Sequence, residues 1–155
     1  MKSACKNTIL ALALSLSAMP AMAGDVPAIT VDKNSKDGRY MFNVTLHSEK
    51  EIEGLLARAK QLKKTMRKGD EKTGIALVLH GPEIKFFSKK NYKRYKKIVD
   101  DAALLDADQV IDIKICKTQM GIMDIKEEEL PAFIDIVPYG PAEEERLKKK
   151  GYVYL

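Results

Sequence analysis

Gly74–Leu79 reads Gly-Ile-Ala-Leu-Val-Leu, an apolar run closed by His80-Gly81-Pro82. A run that short, without polar alternation and ended by turn formers, predicts a strand buried on both faces, as in a parallel sheet covered by helices. Positions 40–46 alternate with β-favouring residues and predict a first strand. Ser48 followed by Glu51 predicts a capping box. Ile52, Leu55, Leu56, Ala59, Leu62 and Met66 then recur on one helical face. Lys63, Lys64, Arg67 and Lys68 suit the last turns of that helix, and Gly69 its end. Tyr95, Ile98, Val99, Ala102 and Leu105 anchor a second helix over 91–105. Residues 110–115 predict a third strand, with Ile111, Ile113 and Ile115 on one face and Asp112, Lys114 and Cys116 on the other. Two charges on one face predict a strand near a sheet edge or against a partner subunit. Residues 118–123 and 127–130 read as short turn or helical pieces, and 133–137 as a fourth strand. Pro141, an acidic first turn, Lys148 to Lys150 and Gly151 mark a last helix, followed by a final strand over 152–155. Strands alternating with helices predict an α/β domain with a mostly parallel sheet.

The first 23 residues follow a different pattern. Lys2 and Lys6 precede an apolar run over 9–19, and Ala21-Met22-Ala23 places small residues where a signal peptidase reads. This predicts a cleavable secretory signal, a mature chain beginning at Gly24 and a periplasmic location. The run falls short of the roughly 20 apolar residues that span a bilayer, and no later segment is long enough, so no membrane span is expected after cleavage. The expected organisation is a signal peptide at 1–23, a loose lead-in at 24–38 and one α/β domain at 39–155. The chain carries 27 Lys+Arg against 22 Asp+Glu; cleavage removes Lys2 and Lys6 and leaves 25 against 22, a balance of +3. That mild excess on an exported chain does not point to nucleic acid. The run Lys89 to Lys97 interleaves Tyr with Lys and Arg, but a solvated helix face with Tyr anchors gives the same pattern.

Three residues with reactive side chains fall after strands: His47, His80 and Cys116. Open α/β sheets gather their sites at that end. Of the two cysteines, Cys5 leaves with the signal, so Cys116 has no internal disulfide partner. A thiol between a strand and a helix start has its thiolate favoured, and Lys114 and Lys117 would add positive potential if they point the same way. Met120, four residues on, offers a thioether; Cys116 with Met120 is a soft donor pair suited to Cu(I). Met123 and His80 could complete such a site; the other reading, and the expected one for Met120, is that the sulfur side chains pack in the core. Glu127 to Glu129 and Glu143 to Glu145 read as solvated helix starts. There is no Gly-rich phosphate loop, no CxxC pair and no G-x-S-x-G elbow.

Four segments in order resemble the DsrE/DsrF-like sulfur-relay family: IALVLHGPEIKFF over 75–87, DADQVIDIKIC over 106–116, ELPAFIDIVPYGPAEEERL over 129–147 and KKKGYVYL over 148–155. The resemblance implies a three-layer α/β/α sandwich with a five-stranded parallel sheet, assembled as homotrimers or hexamers. It implies that Cys116 stands where the family carries sulfur as a persulfide, with a donor or acceptor protein as partner and no cofactor. His80, in the family's His-Gly turn, would line the same site; from their place beside Cys116 in the sequence, not from the resemblance, Lys117 and Met120 are further candidate substrate-binding residues. The readings left open are a small-molecule or soft-metal binding module using Cys116 and Met120, and an assembly protein with an inert cysteine.

Overall fold

The computed structural model describes residues 38–65 and 74–155, all within one compact unit. The expected signal peptide, the mature N-terminus, nearly all of the lead-in and the end of the first helix at Met66 to Gly69 lie outside the described residues. The sheet strands are β1 (Arg39–Phe42), β2 (Gly74–Leu79), β3 (Ile111–Cys116), β4 (Asp135–Val137) and β5 (Val153–Tyr154). The helices are α1 (Glu49–Thr65), α2 (Tyr92–Ala107), the short α3 (Lys117–Ile122) and α4 (Gly140–Lys149). All strand pairs are parallel, in the order β4-β3-β2-β1-β5. The chain steps from β1 toward β4 and then crosses back to the far side of β1. Right-handed crossovers therefore put α1 and α2 on one face of the sheet and α4 on the other, giving the three layers of an α/β/α sandwich.

The two faces differ in chemistry. Met41, Ala76 and Val78 form a core cluster with Leu147 of α4, and Tyr152 packs against it. Side chains alternate along a strand, so Ile75, Leu77 and Leu79 point the other way, toward the side of α1 and α2; all three are fully buried. Phe42 and Ile113 lie beside Leu77 in the ladder and share that apolar face. Register also assigns Asp112, Lys114 and Cys116 to the α4 side, because Asp112 pairs with Ala76 and Lys114 with Val78. The expected position near a sheet edge holds: β3 is next to last, beside the three-residue edge strand β4.

Two expected elements differ in detail. The first strand ends at Phe42 rather than 46. The backbone N–H groups of Thr45 and Leu46 donate to the Glu51 carboxylate at 2.8 and 2.9 Å instead of entering a ladder. Half of the capping box forms, the Glu51 N–H donating to Ser48 Oγ at 3.2 Å; the carboxylate caps the incoming loop. Burial pushes the Glu51 pKa up, but the hydrogen bonds from Thr45, Leu46 and His47 outweigh it and hold the carboxyl below 4.5. Between β2 and α2, Pro82–Phe87 and Lys89–Asn91 form tight 3-10 turns that bury Ile84, Phe86 and Phe87.

The basic run is largely neutralised. Lys90 pairs with Glu129 at 2.8 Å, Lys96 with Asp100, and Lys97 with Asp101 and Glu53. Arg94 lies 5.2 Å over the Tyr95 ring. This is a solvated face anchored by tyrosine, with its charge compensated locally.

Candidate functional site

The carboxyl ends of β1, β2 and β3, which are neighbours in the sheet, carry His47, His80 and Cys116 in spatial order. His47 stands in the loop after β1, with a left-handed backbone (φ 49°), a conformation that costs a non-glycine residue about 1 kcal/mol or more. That turn delivers its Nδ1 to Glu83 Oε2 at 2.7 Å. Glu83 is fully buried, and its other oxygen accepts the Gly81 N–H at 2.9 Å. His80 follows β2, with Nε2 3.5 Å from Glu144 Oε1 on α4. Glu144 Oε2 in turn accepts the Tyr154 hydroxyl of β5 at 3.0 Å. Burial and the neighbouring Glu144 both push the Tyr154 pKa up. The two imidazoles lie edge to face, ring centroids 6.0 Å apart and each about 30% exposed.

Two glycines make room for these rings. A Cβ on Gly81 would stand 2.6 Å from Glu83 Oε2 and 2.7 Å from His47 Cε1. On Gly140, the first residue of α4, it would meet His80 Cβ at 2.6 Å. The site lies beside the place where strand order reverses, between β1 and β5, which is where open α/β sheets form their ligand crevice.

Cys116 occupies the more closed half of the same edge. The last pair of the β2–β3 ladder is Leu79 with Ile115, so His80 and Cys116 are the next residues on two adjacent strands. Cys116 is 3% exposed and Met120 2%. Thr118 Oγ1 donates to the Pro138 carbonyl at 3.1 Å and ties the start of α3 to the turn after β4. The cations expected to favour the thiolate are both partnered. Lys114 shares the Cys116 face but bridges Asp112 and Asp135 at 2.9 and 3.0 Å. Its burial pulls its pKa down, and the hydrogen bonds to the two aspartates more than offset that, leaving it above 10.5. Lys117 is exposed and pairs with Glu127 at 2.7 Å. Among the described residues no three His, Cys, Asp or Glu side chains are grouped to hold a metal ion, so the Cys116–Met120 pair gains no further ligand from these types.

Sequence reasoning placed His47, His80 and Cys116 at this end but missed Glu83, Glu144 and Tyr154. Glu83 had no periodic signal, two residues past a turn glycine. Of the acidic start of α4, only Glu145 is the solvated residue expected. Glu143 is buried against Arg146, whose guanidinium lowers its pKa against the opposing effect of burial, and Glu144 faces His80. The one available signal was spacing: Glu144 lies four residues after Gly140, on the helix face that Gly140 turns toward His80.

No protein-family model matches the chain, and no curated protein matches it. Among solved structures it is similar to a protein of unknown function from Methanobacterium thermoautotrophicum, with a TM-score of 0.62 and 16% identity over 76% of this chain and 96% of that one. At that identity the likeness is one of fold. No described helix is long and apolar enough to cross a membrane.

Proposed function

We propose that the protein is an exported, DsrE-like homo-oligomer in which Cys116 carries sulfur as a persulfide. The observation that carries this reading is the β2–β3 register, which makes His80 and Cys116 neighbours at the carboxyl edge with Glu144 behind the imidazole. In the reaction the Cys116 thiolate attacks the outer sulfur of a donor persulfide, R–S–SH. The new S–S bond forms as the donor's S–S bond breaks, and R–S⁻ leaves and takes a proton from water; no net oxidation occurs. Export rests on the charged start, short apolar run and Ala21-Met22-Ala23 of the first 23 residues. Because the thiol is covered, sulfur reaches it through a local opening around the six-residue α3.

The burial of Cys116 also favours a second reading, an inert core cysteine in an assembly protein. One measurement separates them. After incubation with a sulfane-sulfur donor, intact mass spectrometry is expected to show one added sulfur on the wild-type chain and none on Cys116→Ser. A wild-type chain that gains no sulfur overturns the carrier reading and leaves the inert one.

A further inference from the structure

We propose that His47 and His80 form an open binding site for a late first-row transition-metal ion, copper above the others. This goes beyond the sulfur-carrier reading and does not depend on Cys116. His47 Nδ1 is hydrogen-bonded to the Glu83 carboxylate at 2.7 Å, and His80 Nε2 stands 3.5 Å from that of Glu144. Among the described residues, His47 Nε2 and His80 Nδ1 have no partner. Histidines that bind metal are backed in this way, the carboxylate fixing the tautomer and strengthening the free nitrogen as a donor. The two rings are neighbours at the strand ends, edge to face with their centroids 6.0 Å apart.

Charge favours a cation over an anion. Glu83 and Glu144 bring two carboxylates to the site, and among the described residues neither is paired with a lysine or arginine. Lys148, over the Tyr154 ring, is engaged by Glu145. A fully buried carboxylate is costly to leave uncompensated; a metal on the other nitrogen of the His47 ring compensates it. The arrangement is maintained at a cost, through a left-handed backbone at His47 and glycines at 81 and 140 where a Cβ would collide with the site. With no third His, Cys, Asp or Glu converging, water or an exogenous ligand completes the coordination. Imidazole donors suit copper, zinc and nickel, and copper binds such sites most tightly of the divalent series.

The test is titration of the full chain with copper(II) alone, followed by electron paramagnetic resonance and competition with a chelator. One equivalent per chain is expected, with coupling to two nitrogens. His47→Gln and His80→Gln should each weaken binding at least tenfold, and Glu83→Gln by about 10- to 100-fold. Cys116→Ser should leave the affinity unchanged, which keeps this result separate from the fate of the thiol. Should Glu83→Gln lose its native circular dichroism, His80→Gln and Glu144→Gln test the pair from the other strand. Absence of a bound equivalent, affinity unchanged in both histidine variants, or loss of binding in Cys116→Ser each overturns the proposal.

Discussion

The carboxyl edge of the sheet has two halves that solve the same problem in opposite ways. Over β1 and β2, two partly exposed imidazoles are held against more buried carboxylates, His47 against Glu83 and His80 against Glu144, with two glycines where larger side chains would intrude. Over β3 and β4, the reactive group is sealed. Cys116 is buried, α3 is tethered to the turn after β4, and the buried cation Lys114 is neutralised by two aspartates. A strand end is thus a place where chemistry can be put, while its accessibility depends on what the following turn does. After β1 the chain turns left-handed at His47 and leaves a ring exposed; after β3 it goes straight into a helix that starts at Lys117.

The largest effect expected from this difference is on thiol reactivity. In the folded chain, iodoacetamide should label Cys116 on the order of a hundredfold more slowly than in denaturant, because access requires a local opening worth a few kcal/mol. Equal rates would erase the contrast between the halves. Next is Gly140→Ala. Its Cβ would press on His80 Cβ, which is fixed to the backbone and has little freedom to yield. We expect a loss of about 1–3 kcal/mol in urea unfolding, as for an overpacked core. His80→Gly in the same chain removes that Cβ and should recover part of that loss. A double variant that recovers nothing would place the strain elsewhere.

The smallest effect is expected from Lys114→Met, which tests the sealed half. Lys114 has its pKa raised on folding, so the stability it contributes is fully present below the unfolded value of 10.5 and is lost as pH rises through the higher folded value. Near neutral pH the variant should differ from wild type by no more than about 1 kcal/mol, since Asp112 and Asp135 keep access to water. The difference between the two chains should narrow above pH 10.5. An unchanged difference through that range would mean that the aspartates do not hold the ammonium.

Much of the scaffold was readable from local pattern. The run at Gly74–Leu79 is β2 to the residue, because burial on both faces demands unbroken apolar character. The third strand is displaced by one residue and the last helix begins at Gly140, one before the proline that marked it. The first strand was overrun because residues 43–46 alternate like a strand while the Thr45 and Leu46 N–H groups go to Glu51, six and five residues on. That competition is between a ladder and a side chain, and hydropathy alone does not register it.

By itself the amino-acid sequence determined the α/β class, the parallel sheet and the placement of His47, His80 and Cys116 at strand ends, since each follows from periodicity and from where strands stop. The tertiary structure decided which of them meet and which are covered. Strand order brings β1 beside β2, the return crossover brings Glu144 and Tyr154 to the first two strands, and register puts Lys114 between its aspartates. Except for Asp112, two residues from Lys114, those partners lie ten or more residues apart along the chain. Such pairing energies depend on distance and burial in space, so no local window of sequence contains them.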